Sequence, residues 1–157
     1  MPYSTDESMD GTDGEPAYTG SWDFSFSEVL RGALGGRRQT NRVVHRYAEQ
    51  FEQAARLLDA ERDDAYVEIY DPVQKIEQRT DTPDSLWDEL IDDVDVEEVE
   101  LAYESDDGSM TFSYDRSLDH PFHVEATDEA AKDELEELYD IRMKREWKPS
   151  GLLGLLD

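Results

Sequence analysis

Residues 98–114 read EVELAYESDDGSMTFSY and decide the fold class. Large apolar residues alternate with polar ones on both sides of Asp106–Ser109, which is typical of two half-buried strands joined by a turn. The apolar positions are Val99, Leu101 and Tyr103 on the first strand and Met110, Phe112 and Tyr114 on the second. The pattern predicts a β-hairpin with one face on a core.

Two further segments extend this β structure. Phe122–Ala126 follows a loop rich in Asp and Ser, and it completes a predicted β-meander. Tyr66–Tyr70 has the composition of a strand, although its apolar spacing also fits a helix. From Pro72 onward we expect a short helix or an irregular stretch, because proline opposes a continuous helix.

Helices are predicted on either side of the meander. Apolar residues recur at spacings of three and four from about Arg38 to Ala60, which predicts a long helix that covers the sheet. Thr82 is the predicted N-cap of a short helix, and Thr127 that of a final helix that ends at Pro149. We therefore expect an α+β fold. Its mainly antiparallel sheet has three to four strands, packed by a long helix in the N-terminal half and by a C-terminal helix, with extended tails.

Composition divides the chain into four parts. Residues 1–20 are predicted to be an acidic flexible tail, because they hold few apolar groups that folding could bury. Residues 21–36 are interpreted as an aromatic docking arm with a Gly-rich linker. The α+β domain spans 37–149, and 150–157 form an apolar C-terminal tail.

The charge of the chain predicts the conditions in which it works. Asp and Glu total 41 against 15 Lys and Arg, so the formal net charge is −26. This charge repels itself at ordinary salt, but at 1 M salt the Debye length is only about 3 Å. With 8 Tyr, 5 Phe and 3 Trp, the chain is too aromatic for a disordered acidic protein. A folded mimic of nucleic acid is the alternative, but acidity along nearly the whole chain favours a surface adapted to high salt.

Several protein classes are excluded by what the sequence lacks. Without cysteine there are neither disulfides nor thiolate zinc sites. No apolar run approaches the roughly 20 residues of a membrane-spanning helix, so no membrane span is predicted. The first residues show neither a basic start nor an apolar stretch, and we expect a cytoplasmic protein, or one in a particle assembled in the cytoplasm.

A basic stretch interrupts the acidity. Between Glu28 and Glu49 there is no acidic residue, and the stretch carries +5, so the remainder carries −31. Its arginines either pair with the protein's own carboxylates or form a contact surface for an acidic partner. We favour a protein partner, because phosphate affinity falls steeply with salt, whereas the planar guanidinium suits carboxylates at interfaces. The residues concerned are Arg31, Arg37, Arg38, Arg42 and Arg46.

Two apolar extensions complete the predicted partner-binding surface. Residues 21–30 carry aromatics in an extended pattern, or begin a short helix capped by Ser25 or Ser27, and packing on the protein's own core competes equally with docking. The C-terminal leucines either fold back or insert into a neighbour. The side chains are Trp22, Phe24, Phe26, Leu152, Leu153, Leu155 and Leu156.

Catalytic chemistry has little support in the sequence. His123 and Glu125 would share one face of a strand as weak candidate metal ligands, with a third ligand such as Glu100 from a neighbouring strand. A solvated sheet face explains the pair equally well. No G-x-S-x-G or P-loop motif is present, and no cofactor is expected.

These features predict a non-enzymatic structural or adaptor subunit of a multi-protein assembly in a high-salt, haloarchaeal-type setting. We expect protein partners and self-association, and a virion head–tail connector or tail-completion component is one concrete version. The alternative is a regulatory or small-anion-binding module that uses the basic patch Arg31–Arg46. A metal-dependent enzyme is the second alternative.

Overall fold

The structure is a computed structural model that describes residues 15–80 and 94–148. All its strands belong to one sheet of seven, in the order β3-β2-β4-β5-β6-β1-β7, and every neighbouring pair is antiparallel. The elements in chain order are β1 (Glu15–Trp22), α1 (Phe26–Gly35), α2 (Arg37–Leu57), β2 (Glu61–Asp71), β3 (Ile76–Thr80), β4 (Asp95–Glu104), β5 (Ser109–Asp115), β6 (Phe122–Ala126), α3 (Glu129–Tyr139) and β7 (Lys144–Lys148).

The α+β class is confirmed, but the predicted number of three to four strands is wrong, because the sheet has seven. The additional strands are β1, β3 and β7. In β1, Gly20 takes an inward position where a Cβ would lie 2.9 Å from Ile141 Cδ1, so the apolar alternation of this strand is broken by a glycine. Strand β3 is an edge strand whose side chains are nearly all exposed, so it carries no apolar pattern.

The predicted C-terminal helix is also corrected. Asp128, rather than Thr127, caps α3, since its side chain accepts a hydrogen bond from the Ala131 N–H at 3.1 Å. The helix ends at Tyr139 instead of Pro149, because the next residue, Asp140, adopts a left-handed conformation (φ 54°, ψ 50°). The basic residues that follow therefore lie in β7 at the sheet edge.

A tight turn replaces the short helix or irregular stretch that was expected from Pro72. The Asp71 carboxylate accepts hydrogen bonds from the N–H groups of Val73 (2.9 Å) and Gln74 (3.2 Å), and Lys75 has a positive φ of 59°. The chain reverses there and β3 pairs back onto β2. The predicted strand at 66–70 is confirmed as part of β2.

The core lies between one face of the sheet and the helices α2 and α3. The long predicted helix is confirmed as α2, and the meander as β4, β5 and β6. The largest fully buried side chains are Tyr114, Phe51, Phe112, Phe122, Ile69, Leu101 and Leu135.

Some predicted segments fall outside the described residues. They are residues 1–14 of the predicted tail, the helix expected after Thr82, and the leucine segment after Pro149. Residues 15–20, which the sequence assigned to the flexible tail, belong to β1, and β1 lies inside the sheet between β6 and β7.

Candidate protein-docking surface

Helix α1 begins with a capping box, which fixes its first turn. The Ser25 hydroxyl accepts a hydrogen bond from the Glu28 N–H at 3.3 Å, and the Ser25 N–H donates to the Glu28 carboxylate at 2.7 Å. The helix ends at Gly35, and its C-cap Gly36 has a φ of 68° and a ψ of −152°, a conformation open to glycine almost alone. Because α2 starts at the next residue, α1 and α2 form a sharp helical corner.

The inner face of α1 is polar. Glu28 is only 6% exposed, and its carboxylate accepts hydrogen bonds from the Arg46 guanidinium (2.6 Å) and the Tyr47 hydroxyl (2.7 Å), both on α2. Burial by itself would raise the pKa of Glu28. The hydrogen bonds from Ser25 and Tyr47, together with the charge of Arg46, outweigh burial and hold this pKa below its ordinary value. An ionised carboxylate therefore fastens α1 to α2.

The same face of α1 carries small residues, which allow close packing against α2. A Cβ at Gly32 would lie 3.2 Å from Thr40 Oγ1, so a glycine at this position lets the two helices approach closely. Gly35 faces Gln39 one turn further on. Since Glu28 contacts Arg46 while Gly35 contacts Gln39, α1 runs antiparallel to the first half of α2.

The outer face of α1 is apolar and faces solvent. Its residues follow the spacing i, i+3, i+4, i+7, i+8, which places them on one stripe of the helix. Leu34 is 89% exposed, Phe26 78%, Val29 54% and Leu30 49%. This spacing usually marks the side of a helix that meets the core, but here that side points away from it. We call this surface the α1 stripe; it consists of Phe26, Val29, Leu30, Ala33 and Leu34.

The five arginines of the basic stretch have different surroundings. Arg37 pairs with Asp95 at 2.9 Å and Arg46 with Glu28 at 2.6 Å, so for these two the interpretation of pairing within the protein holds. Arg38 is exposed and has a partner of its own. Arg31, on α1, and Arg42, on α2, are exposed and form no ion pair within residues 15–80 and 94–148. Arg31, on the same helix as the α1 stripe, and Arg42, on α2, are thus the two arginines of the stretch that can offer an exposed charge to a partner.

Two of the three aromatics predicted as a docking arm belong to the core. Trp22 stacks on Phe122 with ring centroids 5.4 Å apart, and Phe24 meets Phe122 edge-on at 5.0 Å. Phe26 alone of the three points outward, as the first residue of the α1 stripe. The predicted partner-binding leucines, Leu152, Leu153, Leu155 and Leu156, lie outside the described residues.

A cleft of about 460 Å³ lies at the N-terminal end of α2, and it is the place to look for the site that the anion-binding alternative requires. Arg37 and Arg116 both line it. Each is already paired with a carboxylate, Arg37 with Asp95 and Arg116 with Glu97 at 2.8 Å. The two pairs make the cleft electrically balanced, and a small anion would have to compete with these carboxylates.

His123 and Glu125 lie together on the outer face of the sheet. The His123 ring contacts the Ser21 hydroxyl at 2.9 Å and the Glu125 carboxylate at 3.1 Å. Glu100 is on β4, two strands away from β6, hence roughly 10 Å off. Within the described part of the chain, no group of three or more His, Asp or Glu residues could hold a metal ion.

This serine–histidine–glutamate row also lacks what nucleophilic catalysis requires. Acyl transfer needs backbone N–H groups that point at a developing oxyanion. Strand β6 is paired on both sides, with β5 and with β1, so its N–H groups are engaged in the sheet. The row is better explained as ordinary cross-strand pairing of polar side chains.

The outward direction of the α1 stripe was the feature that sequence reasoning missed. The sequence pattern offered a short helix at this place as one of two alternatives. It did not indicate which face of that helix would meet the core. A signal existed: the opposite face holds Glu28, Gly32 and Gly35, small or polar residues that suit close packing against another helix. Apolar periodicity alone does not tell which partner an apolar face meets.

Comparisons with protein-family models, with curated proteins and with solved structures found no match to this chain. Function is therefore inferred from the chain's own geometry. Across residues 15–80 and 94–148, none of the helices has the length and apolar character needed to cross a membrane.

Proposed function

We propose that the protein is a non-enzymatic structural or adaptor subunit that docks onto another protein through the α1 stripe. The observation that carries the proposal is the orientation of α1. Its apolar residues are exposed while its one acidic residue, Glu28, is buried and ion-paired. An exposed apolar patch of this kind, rimmed by polar residues, is typical of protein interaction sites.

The charge distribution supports the same proposal. Arg31 is exposed on the same helix as the stripe, and a protein partner with surface carboxylates would complement it. In a high-salt cytoplasm, or in a particle assembled there, charge steering is screened over about 3 Å at 1 M, whereas apolar contacts persist. A stripe of leucine-sized side chains with a few arginines suits association under such conditions. The virion version stays a prediction from the sequence.

Photo-crosslinking tests the proposal. A benzophenone amino acid is placed at Leu34 in one variant and at Leu57 in another; Leu57 is 76% exposed but lies at the far end of α2. Both proteins are irradiated in concentrated KCl, pure and in an extract of the cells that make the protein. We expect a protein adduct of defined mass from position 34 alone.

The identity of the adduct separates the outcomes. A dimer of this chain or a hybrid with one other protein supports docking through the stripe. Equal labelling from positions 34 and 57, or no adduct from position 34, would overturn it, because a docking surface must be in contact with its partner. The adduct must also disappear when Phe26→Ser is added, since this change removes apolar area from the same stripe.

A further inference from the structure

We propose that the cleft at the N-terminal end of α2 binds a small zwitterion of the amino-acid type, with one carboxylate and one ammonium group. The cleft lies between this end of α2, the start of β4 and the end of β5. Its volume of about 460 Å³ is within the range of small-molecule sites. The site is formed by other residues than the α1 stripe, so it goes beyond the proposed function and does not depend on it.

The buried hydroxyl of Tyr114 is the first observation that points to a ligand. Tyr114 lines the cleft, is only 1% exposed, and meets Phe24 edge-on with ring centroids 6.3 Å apart. In the described part of the chain no group forms a hydrogen bond with its hydroxyl. The hydroxyls of Tyr47, Tyr103 and Tyr139 each donate to a protein oxygen at 2.6 to 2.7 Å. Because a buried tyrosine hydroxyl normally has a partner, the hydroxyl of Tyr114 is left for a molecule in the cleft.

The charges around Tyr114 keep this hydroxyl protonated. Burial raises the pKa of Tyr114 to about 12, while Arg116 lowers it and Asp95 is among the carboxylates that raise it. Arg116 and Asp95 line the same cleft. At neutral pH the phenol can therefore donate a hydrogen bond to a ligand that is held between these two charged residues.

Further donors in the cleft suit a carboxylate. Arg37 uses its Nε for Asp95, and Arg116 uses one Nη for Glu97. A guanidinium has five N–H groups, so both arginines keep donors for a second acceptor. The first turn of α2 adds the positive end of the helix dipole, since Gly36 gives no side-chain cap and the turn contains no acidic residue.

The carboxylates of the cleft distinguish a zwitterion from a simple anion. Asp95 and Glu97 already neutralise the two arginines, so an anion alone would leave excess negative charge. Only Oδ1 of Asp95 accepts from Arg37, and Oδ2 accepts no hydrogen bond from the described residues. An ammonium group on the ligand would donate to Oδ2 and offset the charge of the ligand's carboxylate. Both ion pairs can then stay in place.

NMR titration of the backbone amides with L-alanine and its two halves tests the inference. Propionate keeps the carboxylate of alanine without the ammonium group, and ethylamine keeps the ammonium group without the carboxylate. Glycerol serves as a neutral hydrogen-bonding probe. In 1 M KCl we expect L-alanine to cause saturable shifts at residues 37–41, 95–96 and 114–116. Propionate, ethylamine and glycerol should bind at least tenfold more weakly, because each lacks at least one of the two charges.

Two matched tyrosine variants test the role of the hydroxyl. Tyr114→Phe should bind L-alanine at least tenfold more weakly without loss of stability, because no hydrogen bond to the protein is removed. The control Tyr103→Phe removes a buried hydroxyl that donates to Glu52 at 2.7 Å. It should lower the free energy of unfolding and leave the affinity for L-alanine unchanged.

The variant Asp95→Asn tests the two-charge arrangement. It removes the acceptor of the ammonium group and one negative charge, so it should weaken the binding of L-alanine and strengthen that of propionate. A purely structural effect of the substitution would move both affinities in the same direction.

The remaining outcomes contradict the inference. If no shift saturates with L-alanine, or if Tyr114→Phe binds it like the wild type, the cleft is not this site and water alone meets the hydroxyl. If propionate or glycerol binds as tightly as L-alanine, the ligand is not a zwitterion. None of these results changes the crosslinking expected from position 34, so the proposed function stands or falls separately.

Discussion

At the scale of single residues, Glu28 decides which face of α1 meets solvent. Its carboxylate replaces water with three protein donors: the Ser25 N–H, the Arg46 guanidinium and the Tyr47 hydroxyl. A buried carboxylate without such partners would be strongly disfavoured. Once the pairing with α2 is satisfied, the apolar side of the helix has no place except the surface. The buried carboxylate of Glu28 and its donors therefore account for the exposure of four large apolar side chains.

The pKa of Glu28 gives this attachment a pH dependence. Since the folded-state pKa lies below the ordinary value of 4.5, ionised Glu28 favours the docked helix. Its contribution is fully present above about pH 4.5 and is lost as the pH falls through the lowered folded value. We expect amide hydrogen exchange to show α1 protected at neutral pH, with protection decreasing on acidification below that range.

The variant Glu28→Gln separates this effect from the titration of other acids. It should lower the free energy that keeps α1 docked by about 1–3 kcal/mol at neutral pH, because hydrogen bonds to a charged group are lost. Once the pH has fallen below the lowered folded-state pKa of Glu28, the variant and the wild type should converge. The control Glu49→Gln removes an exposed carboxylate of α2 and should leave exchange in α1 unchanged. Equal protection of Glu28→Gln and wild type at neutral pH would contradict the assignment.

At the scale of elements, the corner between α1 and α2 depends on Gly36. With φ 68° and ψ −152°, it occupies a region that costs other residues about 1–3 kcal/mol. Gly36→Ala should lower the free energy of unfolding by about this amount, as measured by urea denaturation. Gly35→Ala is the matched control. It lies in regular helix, but its Cβ would collide with Gln39 Cγ, so both glycine variants are measured in the Gln39→Ala background, where only a small change is expected for Gly35→Ala. Equal losses for both would refute a backbone origin.

The elements that the sequence predicted share one property: their apolar residues face their own core. The long helix α2 and the meander β4–β6 each bury one apolar face, so their apolar residues recur in the sequence at helical or strand spacing. In β1 the alternation of apolar and polar residues is interrupted, because the inward position 20 is a glycine that leaves room for Ile141 and Met143. These two residues come from the segment after α3, and no local pattern announces a contact across 120 positions.

The end of α3 was misplaced for a different reason. A single residue, Asp140, turns left-handed and stops the helix, although its neighbours would continue the helical pattern. The following residues, Lys144–Lys148, pair with β1 at the sheet edge, where lysines also protect an edge strand from further pairing. Both facts belong to tertiary context. For the candidate site, the sequence indicated the arginines and Phe26, but it could not say that Trp22 and Phe24 pack inward.

At the scale of the whole molecule, the net charge of −26 is partly concentrated in the sheet. On its outer face, Glu68 of β2 lies directly opposite Glu98 of β4, which in turn lies opposite Asp115 of β5. Like charges in direct cross-strand pairs destabilise a sheet. Burial, with the charges of Asp115 and Glu68, raises the pKa of Glu98 above its ordinary value. This row is a structural reason why stability should depend on salt.

We therefore expect the free energy of unfolding to rise between 0.1 and 1 M KCl, where the Debye length falls from about 10 Å to about 3 Å. Urea denaturation at each salt concentration measures the rise. Glu98→Gln removes the central charge of the row and should stabilise the protein by about 0.2–1 kcal/mol in 0.1 M KCl. Because 1 M salt already screens the repulsion, the gain should shrink there.

The control distinguishes local repulsion from net charge. Glu137→Gln makes the same change in net charge on an exposed position of α3, outside the row. If both variants gain the same free energy of unfolding, the salt dependence comes from the overall charge and not from the repulsion within the row. If stability is flat with salt and neither variant gains, the carboxylates do not repel one another at 0.1 M, and adaptation to high salt would no longer explain the acidity. A mimic of nucleic acid, whose carboxylates are compensated by a basic partner, would then become the better explanation.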